Sequence, residues 1–302
     1  MSSSLHALIL GAAAGGGLPQ WNCGCDNCHA AREGQSGLLP QTQSSLAVSA
    51  DRNAWALLNA SPDIRQQIHS NPQLQPRSLR DTPIASVLLT NGDIDHVAGL
   101  LSLREKQAFT VFATRAVVET LAANPIFNAL DPEMVGFTAI ELEQAVEIAP
   151  GLTARLFAVP GKVPLYMEQG KVETDLEGEQ TVGVEITAGD KKVFYIPGCA
   201  RMTAALAGRL RNADLVFFDG TVFTDDEMIA TGTGKKTGRR MGHMAMSGEE
   251  GSLNTFGSLG VRKKVFVHIN NTNPVWRPGS PERGAVEEAG WTVGADGMEI
   301  SA

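Results

Sequence analysis

Leu88-Leu89-Thr90-Asn91-Gly92-Asp93-Ile94-Asp95-His96-Val97-Ala98-Gly99-Leu100 carries the strongest structural signal in this chain. The aliphatic run Ser86–Thr90 reads as a buried strand, and apolar residues at helical spacing resume over Asp95–Leu103. Asp93, Asp95 and His96 crowd the loop between them. Loops at the carboxyl ends of strands are where α/β proteins place their sites. An aspartate helix cap with a hydrogen-bonded histidine accounts for the same residues.

Outward from this segment, Leu5–Leu10, Ser45–Ala50 and Trp55–Ala60 read as strands, the last two joined by an Asp51-Arg52-Asn53 turn. Phe109–Ala113, Thr153–Val159, Gly183–Thr187, Lys192–Ile196, Leu215–Asp219 and Lys264–Ile269 follow. Arg115–Leu121, Met202–Arg211 and Gly248–Leu259 read as helices. Ser280-Pro281-Glu282 is an N-cap with proline in the first turn, opening a helix that ends at Gly290. Gly170–Gln180 reads as a surface hairpin tip. Strands alternate with helices, but several strands are consecutive. The pattern predicts an α/β chain with two mixed sheets and helices outside, in a single domain over 1–302.

Hydrophobic residues make up 43% of the 302 and charged residues 19%, enough apolar material for a sizeable core. The net charge of −8, with no long basic run, speaks against a general binder of nucleic acid or anionic membrane. No apolar run approaches the roughly 20 residues that span a bilayer. Met1–Gly17 superficially suggests a leader peptide, but it lacks a positively charged start and its apolar run is only about six residues. It reads instead as the first strand. Cys23, Cys25 and Cys28 form Cys-x-Cys-x-x-Cys, a spacing that suits tetrahedral Zn²⁺ better than a disulfide framework in a chain this large. Three free thiols by accident are the alternative. Cys199 reads as a small buried hydrophobe.

The segment after Leu89 resembles the metallo-β-lactamase signature, Thr-His-x-His-x-Asp-His followed by a small residue, glycine and a hydrophobic residue. Asn91 and Asp93 stand in the places of the first two histidines, and Asp95 and His96 match the last two ligands. Lys162, in Ala158-Val-Pro-Gly-Lys162, stands where the next histidine is expected. Asp219 matches the aspartate that bridges metals. Gly242-His243-Met244 resembles an element of tRNA-processing and phosphodiesterase relatives, and His268 matches the last ligand. The resemblance implies a four-layer αβ/βα sandwich of the metallo-β-lactamase fold. One metal's ligands remain (Asp95, His96 and His268, with Asp219 nearby), and all three histidines of the other are absent. Hydrolysis by two metals about 3.5–4 Å apart is thereby crippled. Two histidines and one carboxylate with open positions are the pattern of non-haem Fe(II) oxygenases.

Longer motifs narrow the resemblance. Gly15-Gly-Gly-Leu-Pro-Gln-Trp-Asn-Cys-Gly-Cys-Asp-Asn-Cys28, Asn59-Ala-Ser-Pro-Asp-Ile-Arg65, Thr90-Asn-Gly-Asp-Ile-Asp-His96, Gly242-His-Met244 and His268-Ile-Asn-Asn-Thr-Asn-Pro274 are similar to the coenzyme PQQ (pyrroloquinoline quinone) synthesis protein B family over nearly the whole chain. The resemblance implies a cytoplasmic, iron-dependent oxygenase that hydroxylates the tyrosine ring of a cross-linked Glu–Tyr intermediate cut from a precursor peptide. Fe(II) would sit on Asp95, His96 and His268, with Asp93 or Asp219 as a further carboxylate. Structural Zn²⁺ would sit on Cys23, Cys25 and Cys28. In a related phosphonate-pathway phosphodiesterase a histidine completes such a zinc site. That position falls near Asn271, so Asn271, Asn273, His29 or a water is left as fourth ligand. The implied partners are the small peptide-derived substrate and O₂, with neither nucleic acid nor membrane; a homodimer is left open. A metal-dependent hydrolase of a small ester and a non-catalytic PQQ carrier are the alternatives.

Thr231-Gly-Thr-Gly-Lys-Lys-Thr-Gly-Arg-Arg240 lacks the residue order of a phosphate loop. It reads either as a solvated loop or as a lid whose Lys235, Lys236, Arg239 and Arg240, with Lys162, meet substrate carboxylates. His243 follows it as a proton donor, a substrate contact or a structural hydrogen-bonder. Trp276 and Arg277 are candidates for a pocket wall, and His6 and His69 are read as non-functional.

Overall fold

The computed structural model describes residues 4–170 and 172–302. The start of the Met1–Gly17 reading, residues 1–3, and Lys171 of the Gly170–Gln180 reading lie outside the described residues.

Two seven-stranded mixed sheets form the centre. The first contains β1 (His6–Gly11), β2 (Ser45–Ser49), β3 (Trp55–Leu58), β4 (Ile84–Leu88), β5 (Phe109–Ala113) and β6 (Val135–Ala139) in spatial order, with β14 (Glu299–Ser301) outside β1. The second runs β7 (Ala145–Ala149), β8 (Leu152–Ala158), β9 (Val182–Ala188), β10 (Lys191–Ile196), β11 (Leu215–Asp219), β12 (Lys263–Val267) and β13 (Trp291–Val293). Pairing is antiparallel from β14 to β3 and from β7 to β10. It is parallel from β3 to β6 and from β10 to β13.

Period-two alternation explains the layering. On β1, Ala7 and Ile9 face the core between the sheets, while Leu8 and Leu10 face a second cluster outside the first sheet. That outer cluster is closed by α2 (Ile64–Ser70) through Ile64 and by α4 (Arg115–Ala122) through Val117 and Leu121. The central strands of the second sheet are buried on both faces. α5 (Ala204–Leu210) covers it through Leu206 and Leu210, and α9 (Pro281–Glu288) through Val286. The result is the four-layer αβ/βα sandwich that the sequence predicts. Thr114, Thr203 and Ser280 cap α4, α5 and α9 through their side chains. Among the described residues, no helix is long and apolar enough to cross a membrane.

Two expected helices differ. Asp95–Leu103 is α3 (Ile94–Val97) followed by a 3-10 turn, Ala98–Leu103. The cause is Gly99, whose N–H bonds to Ala60 O at 2.9 Å instead of continuing the α-helix. Gly248–Leu259 keeps only α8 (Ser252–Thr255), because Gly248 is left-handed at φ 90° and the backbone turns sharply. Shorter helices α1 (Asp26–Glu33), α6 (Glu227–Ala230) and α7 (Gly238–Met241) lie in segments that read as loops.

A Cβ on Gly99 would collide with the carbonyl oxygens of Ser61 and Ala60. Both belong to backbone that cannot swing aside. Gly99→Ala should therefore destabilise the fold by about 3 kcal/mol, read as a fall of several degrees in Tm. An unchanged Tm would mean that α3 is free to shift.

Candidate metal centre

The carboxyl ends of the central strands meet at one edge of the sandwich. Asn59, just past β3, bonds Thr90 N through Oδ1 at 2.9 Å and reaches Tyr195 OH of the other sheet at 3.4 Å. Ser44 Oγ lies 3.1 Å from the same hydroxyl. This polar bridge between the sheets is anchored at Thr90, where the loop leading to α3 and its residues Asp93, Asp95 and His96 begins.

His96 is 2% exposed. Its Nδ1 lies 2.8 Å from Asn91 Oδ1, so the N–H there donates to the amide oxygen. That fixes the tautomer and leaves Nε2 as a buried atom with no hydrogen-bond partner. Asp95 Oδ2 stands 3.7 Å from that Nε2 and 3.3 Å from Nε2 of His268. Gly15, whose Cβ would meet Asp95 Oδ2 at 3.2 Å, leaves room for the carboxylate. His268 is non-glycine but left-handed at φ 55°, which turns its ring back toward Asp95. Its Nδ1 is 2.9 Å from Thr221 Oγ1, so Nε2 again faces the cluster.

The ligand atoms of Asp95, His96 and His268 lie within 4.8 Å of one another. Such edges accommodate a cation about 2.0–2.2 Å from each. Burial favours the neutral form of His96 and lowers its pKa to about 4. Burial would raise Asp95, but His96 and the hydrogen bond from His268 outweigh it and hold the carboxyl well below the usual range. Burial opposes the charged form of His268, yet Asp95, Asp219 and Asp93 together raise its pKa. A carboxylate held ionised beside an orphaned imidazole nitrogen fits a bound metal ion.

Asp219, the expected further carboxylate, has a ligand atom within 4.8 Å of His243 and His268. It is fully buried, and both oxygens are engaged. Oδ1 accepts from Thr221 N at 3.0 Å and Oγ1 at 2.7 Å; Oδ2 accepts from Cys199 N at 2.9 Å and His243 Nδ1 at 2.8 Å. Asp219, His243 and His268 also form a group of metal-binding size, but it shares His268 with the first. His243 stacks on His268 with centroids 5.1 Å apart. Asp93 joins neither group. Burial and Asp95 raise its pKa, while Lys162 and His243 pull it down.

The basic residues separate into two sets. Lys162 Nζ bonds Glu168 Oε1 at 3.0 Å, and Arg240 bonds both Glu168 oxygens, at 3.4 and 3.0 Å. Hydrogen bonds from Arg240 first, and then Lys162, draw the Glu168 pKa down to about 2. These two cations, expected to meet substrate, are committed to a half-buried clamp instead. Lys236 is near enough to act on Glu168 too, Lys235 is exposed, and Arg239 pairs with Glu250. Thr221 and Glu168 organise the site, yet sequence reading missed both. Only the proximity of Thr221 to Asp219 was a signal; Glu168 offered none.

A second cluster gathers Cys23, Cys25 and Cys28. Cys25 is the N-cap of α1, and the helix N-terminus favours thiolate. Burial pushes Cys25 up to about 12, whereas hydrogen bonds from Cys25, Cys28 and Asn271 outweigh burial at Cys23 and lower its pKa. The Asn271 amide lies 3.2, 3.6 and 3.2 Å from the three sulfurs. A half-turn of that amide presents its oxygen as a fourth donor. His29 points elsewhere, exposed and 3.3 Å from Glu33, and Asn273 bonds Gly220 O and Val275 N. Trp276 donates to Asn270 O and Arg277 to Asn27 Oδ1, so both brace loops. His6 bonds Ser4 and Ser301, away from either cluster.

The family model of the β-lactamase superfamily domain matches residues 54–269. Coenzyme PQQ synthesis protein B of Rhizobium meliloti (strain 1021) is 62% identical over 299 residues, covering 99% of this chain and 98% of that protein. The crystal structure of Zn²⁺-bound PqqB from Methylobacterium extorquens superposes with a TM-score of 0.96 at 53% identity, covering 98% of this chain and 99% of that one. A diphosphatase of the PhnP family, 17% identical over 99% of this chain and 97% of that one, shares the fold with a TM-score of 0.68. With the sandwich, the metal-binding clusters and identity along almost its whole length, the chain belongs to the coenzyme PQQ synthesis protein B family and has the metallo-β-lactamase fold.

Proposed function

We propose that this chain acts in PQQ synthesis, in the cytoplasm, as an iron- and dioxygen-dependent hydroxylase of the tyrosine ring in a cross-linked Glu–Tyr intermediate. The observation that carries the reading is the buried, partnerless Nε2 of His96 beside Asp95 and Nε2 of His268. Two imidazoles and one carboxylate would hold Fe(II) and leave positions open for further ligands. Bound there, iron would supply the redox capacity for activating dioxygen. Asn91 fixes the tautomer of His96, and the Thr221 hydroxyl holds the His268 ring through Nδ1 at 2.9 Å. His243, anchored through Nδ1 on Asp219, keeps Nε2 to exchange a proton with substrate. Structural Zn²⁺ on the three cysteines and Asn271 would tie α1 to the loop after His268. Hydrolysis is disfavoured because Asn91 and Lys162, in the places of the other metal's histidines, are bound to His96 and Glu168.

The deciding assay is anaerobic loading with Fe(II), then addition of oxygen and a Glu–Tyr peptide, with products read by mass. The iron form should add one or two oxygen atoms. The zinc form should add none, since Zn²⁺ has no redox chemistry. Ester hydrolysis by the zinc form with no oxygen gained in the iron form would favour the hydrolase. PQQ binding without turnover of either substrate would favour the carrier. Asp95→Ala and His268→Ala should each abolish iron binding and hydroxylation together while the far-ultraviolet dichroism stays native.

Cys25→Ser should release about one zinc ion per chain and lower Tm, because structural zinc contributes folding free energy. Metal analysis with zinc content and Tm both unchanged would remove the cysteine cluster from the list of zinc sites.

A further inference from the structure

A cleft of about 960 Å³ opens beside the metal centre, with His243 on its wall. Because His243 stacks on His268, the cleft reaches the second layer of side chains around the cluster. Its lining carries both signs of charge. Arg201 and Arg239 supply cations, and Asp225, Glu249 and Glu250 supply anions. Met202 and Met244 add apolar, adaptable surface.

Neither arginine is locked. Arg201 reaches Asp175 and Glu177 only at 3.6 and 3.5 Å, with half its side chain exposed. Arg239 pairs with Glu250 where both side chains are mostly solvated. Exposed pairs of this kind contribute little, so exchanging the partner for a ligand carboxylate costs little. Lys162 and Arg240 are the contrast, both held by Glu168, which is 10% exposed. Glu249 makes no ion pair among the described residues.

We propose that this cleft is the substrate's recognition site, taking a zwitterionic, amino-acid-derived ligand whose carboxylates bind Arg201 and Arg239, whose ammonium group faces Glu249, and whose ring points toward His243. The assignment rests on the hydroxylase reading for the identity of the ligand. Arg239 is then a binding residue that Glu250 holds in reserve. Arginine suits the role because its fork meets a carboxylate with two parallel hydrogen bonds.

Binding is measured by calorimetry on the full-length zinc-loaded protein, which cannot turn over by oxidation. The probes are the dipeptide Glu–Tyr, 3-(4-hydroxyphenyl)propionate and tyramine. Arg201→Gln and Arg239→Gln should each weaken Glu–Tyr and the propionate by about tenfold, the loss of one charge-assisted contact. Tyramine, which has no carboxylate, should be unaffected. Glu250→Gln should tighten Glu–Tyr by freeing Arg239, whereas a merely structural pair would make both variants of it weaker binders. Arg239→Lys should restore part of the affinity. Native metal content and Tm confirm that each variant is folded. No binding of Glu–Tyr to the wild type, wild-type affinity in both arginine variants, or equal weakening in Glu250→Gln and Arg239→Gln would overturn the assignment. Failure of hydroxylation alone would leave it standing.

Discussion

Burying Nε2 of His96 without a hydrogen-bond partner, beside the Asp95 carboxylate, costs free energy that a proton or a metal ion must offset. Burying an unpaired charge costs several kcal/mol even after relaxation. Burial opposes a charge on His268, but the hydrogen bond with Asp95 at 3.3 Å and the nearby carboxylates raise its pKa. Burial pushes His96 down to about 4, so its ring stays neutral. The lone pair on His96 is thus available to a metal ion at neutral pH.

Two chain segments hold this arrangement, and each also reaches the cysteine cluster. The first leaves β1, passes Gly15 against Asp95 and continues to Cys23, Cys25 and Cys28. The second leaves β12 at His268 and brings Asn271 to the three sulfurs within three residues. Asn27 Nδ2 ties them together, donating to Asn271 O at 3.0 Å and Asn273 O at 2.9 Å. Ala14 N bonds Ile269 O in the same junction. The strained φ of His268 is held from both sides, so order at the cysteine cluster is order at a metal ligand. Glu227 reinforces the second segment by accepting from Thr272 Oγ1 at 2.6 Å, with burial raising its pKa to about 7.

The central strands were legible because a strand buried on both faces is a continuous apolar run, as in Leu215–Phe218 and Val265–Val267. β6, at one sheet end, is mostly exposed, β7 at the other is exposed only in its first half, both lack that run, and β13 and β14 are only three residues long. The candidate ligands Asp95, His96 and His268 were legible because they follow the ends of apolar strands, Asp95 and His96 on α3 beyond β4 and His268 directly after β12. Glu168 and Arg201 were not, because their roles depend on partners distant in sequence, Arg240 for one and the cleft for the other. The cations of the 231–240 segment look alike in sequence, and only burial separates Arg240 in its clamp from Arg239 at the cleft.

The positions lacking metal-ligand side chains have acquired other duties within the same few ångströms. Asn91 Oδ1 accepts from Asp93 N at 3.0 Å as well as from His96 Nδ1, so one amide shapes the loop and selects the tautomer. A histidine at that place would present a ring where His96 needs an acceptor. Lys162 brings a fixed positive charge to the side of Asp93, and Glu168 stops that charge from being a free cation. A lysine at this point repels a second metal ion while partly answering the carboxylate beside it. The residues in the places of one metal's histidines therefore serve the neighbouring cluster, Asn91 by orienting His96 and Lys162 by bringing positive charge to Asp93.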